Sequence, residues 1–306
     1  SEKLYLCKSV VSCINLRPIF SIQRARKQRP ITEGHFVYDQ PTSQPAPQTP
    51  TFDAPLRPEF YISLTSPTVN KVMIGLNLLA FAATFVFGLV VFNTWTGPVD
   101  IRVLYLLGMK SNADILNGEV WRLLTAMFLH IGPTHLISNL IGLFMLGPIL
   151  EGHLGHWRFA AIYLIGGLFG SVASYAFSPA LSAGASGAVF ALLGATVFYF
   201  FRFRENFGAR GREILQSMLV VLVMNLVLGG TVANVDNWGH IGGLLGGLLV
   251  VAGLFPTYRL PAVILMGRQP LVREFNLARQ IGWIAFSILL LILSFWLATQ
   301  AGPPLR

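Results

Sequence analysis

Charged residues are scarce in this chain. Asp, Glu, Lys and Arg make up 11% of its 306 residues, whereas soluble globular proteins carry about 25%. Hydrophobic residues make up 54%, and the mean hydropathy is +0.62. So little charge in so apolar a sequence argues against a soluble protein and favours one that lies in a membrane.

Cysteine is almost absent, with only Cys7 and Cys13 in the whole sequence. Their spacing matches no zinc or redox motif, and two thiols without an evident partner suit a reducing compartment. We therefore expect no disulfide, no metal site and no cofactor.

Acidic residues are the rarer charge, 13 against 22 Lys and Arg, so that the net charge is +9. In a soluble protein this excess would suggest nucleic acid as a partner. In a membrane protein it reflects the enrichment of Lys and Arg in cytosolic loops. We expect the lipid bilayer, and no nucleic acid, as a partner.

Long apolar runs are abundant from Lys71 onward, each near the ~20 residues that cross a bilayer. They predict an all-α polytopic membrane protein. The segment 96–133 is semi-apolar, and we expect it to form an interfacial, partly inserted hairpin. The seven predicted spans are residues 71–95, 134–152, 157–177, 186–203, 214–233, 238–256 and 281–299.

The residues before the spans have a basic run at 23–30 and a Pro-rich stretch at 40–60, a composition typical of extended, disordered chain. If successive spans cross the membrane in opposite directions, 18 of the 22 Lys and Arg lie on the same side of the membrane. The positive-inside rule then predicts a cytosolic N-terminus and an outer C-terminus, most simply in the plasma membrane of a bacterium. The predicted parts are a cytosolic, disordered segment 1–70, a six-span core 71–256, a cytosolic basic linker 257–280, and a seventh span with a short tail 281–306.

Polar side chains occur at the starts of three spans. His130, His135 and Asn139 lie at the start of the second span, Ser186 at the start of the fourth, and His240 at the start of the sixth. Such groups are expensive in a membrane and are functional candidates for that reason. Because these three spans cross in the same direction, their starts lie at the same depth.

The three residue types fit acyl transfer. Ser186 needs a base to become a nucleophile, and an imidazole such as that of His240, with an ordinary pKa of about 6.5, suits that role. The side chains of His135 and Asn139, with free backbone N–H groups at the helix start, can donate to an oxyanion. Asp236 precedes His240 by four residues, and we expect a helix cap rather than a triad member.

Small residues favour close packing around these groups. Gly184 and Gly187 flank Ser186 and permit close approach of a substrate backbone. Gly239, Gly243 and Gly247 repeat every four residues, a pattern that lets membrane helices pack tightly. The alternative interpretation is that Ser186 is only a packing residue and that His240 is an ordinary interfacial histidine.

Taken together, these residues resemble the rhomboid family of intramembrane serine proteases over residues 71–256. The resemblance implies a rhomboid-like six-helix bundle with a seventh, C-terminal transmembrane helix. The motifs that carry it are Trp121 and Arg122; His130, His135 and Asn139; Glu151 and Gly155; Gly184, Ser186 and Gly187; and His240 and Gly243.

The resemblance implies a role for each motif residue. Ser186 is the expected nucleophile and His240 the base, with an oxyanion hole from His135, Asn139 and the Ser186 N–H. The supporting residues implied are Gly184, Gly187, Phe190, Trp121, Arg122, His130 and Gly243. Trp121 and Arg122 are expected to order the first loop and His130 to brace it. The sequence departs from the family at Phe190, where a Tyr is frequent, and at Gly239, where an Ala is frequent.

The expected function is an intramembrane serine endopeptidase that cuts transmembrane protein substrates with a Ser–His dyad. A non-proteolytic, rhomboid-like membrane chaperone or quality-control adaptor is the alternative on the same scaffold. A small-solute transporter with a polar path through His135, Asn139 and His240 is a further one, although we find no internal repeat. The sequence does not indicate the oligomeric state.

Overall fold

A computed structural model describes residues 59–231 and 235–305. The basic run, most of the Pro-rich stretch and the rest of residues 1–58 lie outside the described residues. The described chain is mainly helical, as expected for an all-α membrane protein. Its long helices are α1 (Thr68–Phe92), α5 (Pro133–Leu154), α6 (His156–Ala161) continuing through a π-helical turn (Ile162–Gly166) into α7 (Gly167–Phe177), α8 (Ser186–Arg202), α9 (Arg204–Thr231), α10 (Asn237–Ala252) and α11 (Leu277–Ala301).

Each predicted span coincides with one of these helices. Among the described residues, four helices are long and apolar enough to cross a membrane, judged by length and composition; α8 and α10 are apolar but shorter. The four are Thr68–Phe92, Pro133–Leu154, His156–Phe177 and Leu277–Ala301. The all-α polytopic prediction is confirmed.

Two boundaries differ from the predicted spans for physical reasons. α9 begins at Arg204, ten residues before the predicted start at 214, because a helix can extend past its apolar part into polar sequence. The segment 96–133 is not a simple hairpin but a 3₁₀ turn (Gly97–Val99) followed by three short helices. These helices are α2 (Ile101–Leu106), α3 (Asn112–Leu116) and α4 (Arg122–Thr125).

Short strands occupy two segments that the sequence analysis assigned to disorder or to a linker. β1 (Glu59–Tyr61) pairs in parallel with β3 (Arg268–Pro270), and β2 (Thr257–Arg259) pairs antiparallel with β4 (Val272–Glu274). Within the segment 1–70, which we expect to be disordered, residues 59–61 form the strand β1 and residues 68–70 begin α1. Three-residue strands carry too little sequence pattern to be found without their partners.

The carboxylate of Glu151 anchors the start of α1 to the end of α5. Its two oxygens accept the backbone N–H groups of Val69 and Asn70, each at 2.8 Å, and Oε1 also contacts His156 Nδ1 at 2.5 Å. The first N–H groups of a helix have no intrahelical partner, and a carboxylate there also complements the helix dipole.

The centre of the bundle is α8, which packs closely against α10 through glycines. A Cβ atom on Gly243 would lie 2.1 Å from the carbonyl oxygen of Gly187, and one on Gly247 would lie 2.0 Å from that of Ala191. No side chain fits in either place. Small residues thus set the spacing of these two helices, as in other closely packed membrane helices.

The helix α7 packs against both α8 and α10 in the same way. A Cβ on Gly170 would lie 2.7 Å from the carbonyl oxygen of Gly239. The last helix, α11, is attached at the rim of the bundle. Trp283 Nε1 donates to the carbonyl of Leu249 at 2.8 Å, and the Trp283 ring lies over Gly253.

Candidate active site

Ser186 is the first residue of α8, at the end of the segment 178–185. The N–H groups in the first turn of a helix have no intrahelical acceptor and point toward the helix start. The helix dipole adds a partial positive charge at the same place. Ser186 therefore lies where a developing anion would be stabilised.

His240 lies against α8 one turn from Ser186. Its imidazole stacks on the ring of Phe190, with ring centroids 4.2 Å apart and planes inclined by 6°. Phe190 is four residues after Ser186 and so lies on the same helix face. The structure thus brings the two predicted reacting residues together across the α8–α10 contact.

The described contacts include no hydrogen bond between Ser186 and His240, and His240 Nδ1 is buried without a hydrogen-bond partner among the described residues. In enzymes without substrate, catalytic hydrogen bonds are often long and tighten only in the reacting complex. Asp236 does not bond the imidazole. It is a helix cap, as expected, and a Ser–His–Asp triad is not formed.

One of the two predicted oxyanion donors, His135, lies beside the serine segment. His135 lies directly against Gly184, where a Cβ atom would be 2.6 Å from His135 Cε1, and Gly184 has a φ of +150°. A residue with a side chain would be both strained and in collision there.

Asn139 is buried one turn after His135 and donates from Nδ2 to the His135 carbonyl at 3.0 Å. This bond fixes the amide against its own helix and uses one of its two N–H donors. The second donor remains for a ligand.

His130 connects the first loop to the serine segment. Its Nδ1 donates to the Phe128 carbonyl at 3.1 Å, and its Nε2 accepts from the Ala185 N–H at 3.4 Å. Burial, with a smaller effect of nearby His135, lowers the pKa of His130 to about 4. The imidazole is therefore neutral at pH 7, which lets one nitrogen donate while the other accepts.

Asp236 joins three elements of the site. Its Oδ1 accepts the Gly239 N–H at 2.9 Å and so caps α10, while its Oδ2 accepts the hydroxyl of Ser174 at 2.5 Å and that of Ser182 at 2.7 Å. Ser174 belongs to α7 and Ser182 to the segment before Ser186. One carboxylate therefore couples the helix of His240 to the chain that leads into Ser186.

Lys110 is a residue that the sequence analysis missed. Its buried ammonium group donates to the carbonyls of Ser178 at 2.6 Å and Ala180 at 3.0 Å. Its backbone also pairs with that of Ser182. A single lysine in a semi-apolar loop gives no sequence signal for this role, because the partners lie about 70 residues later.

Trp121 and Arg122 both contact other residues of the first loop. The buried guanidinium of Arg122 donates to the carbonyls of Tyr105 at 2.8 Å and Met109 at 3.1 Å, and it pairs with Glu119 at 2.7 Å. The ring of Trp121 covers Gly108. Neither residue reaches Ser186, so both act on the loop and not on the reacting atoms.

A small cavity of about 30 Å³ adjoins Ser186. A water molecule needs roughly 10–15 Å³ of such volume together with polar partners, so one molecule fits. The residues that line it include Gly184, Ser186, Gly187, Gly239, Ser171, Ser174, Ser182 and Asp236. Within the two described ranges, no group of three or more His, Cys, Asp or Glu is arranged to hold a metal ion.

Comparisons with known proteins give the same family for this arrangement. A family model described as "Rhomboid domain" matches residues 117–257, which include Trp121, Ser186 and His240. The chain is 37% identical over 222 residues to the Rhomboid protease GluP of Bacillus subtilis, covering 72% of this chain and 41% of that protein. It is 36% identical over 174 residues to RHOMBOID-like protein 7 of Arabidopsis thaliana, covering 56% of this chain and 55% of that protein.

A shorter relative is matched over most of its length. The Putative rhomboid protease YdcA of Bacillus subtilis is 34% identical over 141 residues, 45% of this chain and 69% of that protein. Against GluP and RHOMBOID-like protein 7, by contrast, the chain spans only about half of the relative's length.

Proposed function

This chain belongs to the rhomboid family and is an integral membrane protein; from this premise we propose that it is an intramembrane serine endopeptidase. Relatives that carry the name rhomboid protease support this activity. The single observation that carries the proposal is the stacking of His240 on Phe190. It holds an imidazole one helical turn from a serine at a helix N-terminus.

The proposed reaction is acyl transfer in two steps. The Ser186 hydroxyl attacks the scissile carbonyl and its proton passes to His240. His135, Asn139 and the N–H groups at the start of α8 donate to the oxyanion. Collapse of the intermediate breaks the C–N bond, and His240 returns the proton to the leaving amine. A water molecule then loses a proton to His240 and attacks the acyl-enzyme, and His240 returns that proton to the Ser186 oxygen as the acid product leaves.

The proposed substrates are transmembrane protein segments. A helical segment offers no free scissile carbonyl, since its backbone groups are hydrogen-bonded to each other. The substrate must unwind locally, which favours Gly, Ala or Pro near the cut.

The proposed location is the plasma membrane of a bacterium, with the N-terminus in the cytosol and the C-terminus outside. The uneven distribution of Lys and Arg supports this orientation, and two bacterial relatives support the membrane. A C-terminal fusion to an enzyme that works only outside the cytosol tests it: activity of the fusion is expected, and a silent fusion contradicts the orientation.

The activity is tested with a fluorophosphonate probe and a generic single-span substrate in detergent. Wild type is expected to react with the probe and to cut the substrate, because Ser186 is activated. Ser186→Ala is expected to do neither, and His240→Ala is expected to lose cutting, since the base is removed. Ser138→Ala is the matched control, because Ser138 is exposed and bonds only within α5.

Equal probe labelling of wild type and Ser186→Ala overturns the proposal and favours the non-proteolytic adaptor. A transporter would instead show solute flux through reconstituted vesicles that survives Ser186→Ala.

A further inference from the structure

A larger cavity lies at the other end of α8 from Ser186. It has a volume of about 380 Å³ and is formed by the end of α8, the end of α10 and the start of α11. At 1.5 Å per residue, the 17 residues of α8 separate it from Ser186 by roughly 25 Å. It is therefore distinct from the candidate active site, and it exceeds the roughly 30 Å³ of one water molecule many times over.

Two guanidinium groups line this cavity without an acidic partner. The first belongs to Arg202, whose side chain is exposed. Its Cζ lies 5.7 Å from the centre of the Phe203 ring, and it has no hydrogen-bond acceptor within the described ranges. Arg279 donates from one nitrogen to the Phe255 carbonyl at 3.0 Å. A guanidinium carries five N–H donors, so most of these donors are left for a ligand.

Two other arginines at this end of the bundle have acidic partners. Arg259 pairs with Glu274 at 2.9 Å, and Arg268 pairs with Glu59 at 3.7 Å. The cavity itself is lined by no Asp or Glu of the described chain. Its two arginines are therefore a local excess of positive charge rather than part of an ion-pair network.

The position of the two arginines indicates the source of a ligand. Arg202 ends the apolar helix α8, and Arg279 is the third residue of α11, a 25-residue helix that is long and apolar enough to cross a membrane. The ends of such helices lie at the level of lipid headgroups. Basic pockets between transmembrane helices at this level suit anionic headgroups.

We propose that this cavity binds the phosphate group of an anionic phospholipid, held between the guanidinium groups of Arg202 and Arg279. The planar fork of each guanidinium matches two phosphate oxygens. The hydroxyl of Thr257, also in the lining, adds a neutral donor. A lipid phosphate is favoured over free phosphate because the cavity lies at the level of the headgroups.

The test measures lipid retention by native mass spectrometry of the full chain, with phosphatidylglycerol or phosphatidylcholine of the same acyl chains. Wild type is expected to retain phosphatidylglycerol in preference. Arg202→Gln with Arg279→Gln is expected to weaken this binding about 25-fold, from about fivefold for each arginine. Arg202→Gln alone removes no hydrogen bond, so this variant is expected to keep the fold. It is expected to weaken phosphatidylglycerol binding about fivefold.

Arg268→Gln is the matched control, an exposed arginine at the same end that lies outside the cavity lining. Unchanged phosphatidylglycerol binding by the double variant, or an equal loss in Arg268→Gln, overturns the proposal. Displacement of the lipid by inorganic phosphate overturns the lipid as the source and assigns the site to free phosphate. Because no measurement uses proteolysis, the outcome is independent of the proposed protease activity.

Discussion

The carboxylate of Asp236 gives the clearest prediction for a single residue. It holds the start of the His240 helix and the hydroxyl of Ser182 at once. Asp236→Asn keeps the size but removes the charge and one acceptor, and hydrogen bonds to charged groups are worth about 1.5–3 kcal/mol. We expect kcat to fall about tenfold or more while KM stays unchanged, because the reacting groups are displaced but the substrate path is not.

The matched control for Asp236 is Asp100→Asn, since Asp100 also caps a helix through a backbone N–H but belongs to the first loop. Steady-state kinetics on the single-span substrate and a thermal melt separate the two effects. A fall in melting temperature with unchanged kcat in Asp236→Asn would give the residue a structural role only.

The buried imidazole of His130 is expected to make the free energy of unfolding depend on pH. Burial lowers its pKa in the folded chain to about 4, from about 6.5 when it is exposed. Between these values the unfolded chain binds more protons, so stability is complete above about pH 6.5 and falls as the pH drops toward 4. From pH 7 to pH 5 this histidine alone is expected to remove about 2 kcal/mol.

The measurement is the free energy of unfolding in detergent at pH 7 and pH 5 for wild type and His130→Gln. Glutamine can still donate and accept, but it does not titrate. We expect the variant to lose less stability between the two pH values. Identical losses would contradict a buried neutral imidazole at this position.

The proposed reacting residues, Ser186 and His240, could be chosen from the sequence, whereas most of the contacts around them could not. His240 stands out because an imidazole is rare inside apolar spans, and Ser186 because its span crosses in the same direction as that of His240. The second bond of Asp236, the carbonyl contacts of Lys110 and the link from His130 to Ala185 depend on chain segments that meet only after folding. The sequence around each of these residues does not indicate such long-range contacts.

At the scale of helices, the contact of α8 with α10 gives a prediction of its own. A methyl group on Gly247 would lie 2.0 Å from the Ala191 carbonyl oxygen, so Gly247→Ala must push the two helices apart. Overpacking of this kind typically costs about 1–3 kcal/mol. We expect a lower melting temperature and weaker fluorophosphonate labelling of Ser186.

Gly282→Ala is the matched control on α11, where an added methyl group meets nothing within 4 Å. Alanine is a better helix former than glycine by up to about 1 kcal/mol, so this variant is expected to be neutral or slightly stabilised. Equal melting temperatures and labelling for the two variants would contradict a spacing set by glycine.

Helix positions were predictable because a span must be long and apolar, whatever its neighbours. Helix ends were less so, since α9 continues through charged sequence that lies beyond its apolar part. The strands β1 to β4 escaped prediction because each has three residues and depends on a partner elsewhere: β1 and β3 are separated by about 200 residues.

At the scale of the whole molecule, α11 is expected to support the bundle without taking part in the reaction. It packs on the rest through apolar side chains such as Leu291 and Phe295, and through polar links that include Trp283 to Leu249 and Gln280 to Arg158. No residue assigned to the reaction belongs to it. A chain that ends at Asn276 is expected to melt at a lower temperature and still to label at Ser186.

Labelling and thermal melting of the shortened chain, beside Trp283→Phe in the full chain, check this expectation. Trp283→Phe removes only the bond to Leu249 and should lower the melting temperature less. Loss of labelling in a shortened chain that keeps its helix content would assign α11 a part in the site.

The π-helical turn at Ile162–Gly166 has a consequence for how the bundle tolerates change in length. Each residue in an α-helix turns the chain by about 100°, and a π turn absorbs one residue more than an α turn. Gly167 and Gly170, which follow it, face α8 and α10 so closely that neither tolerates a Cβ. The turn therefore sets the rotational phase of α7, and a deletion of one residue there would point a different stripe of that helix at Ser186 and His240.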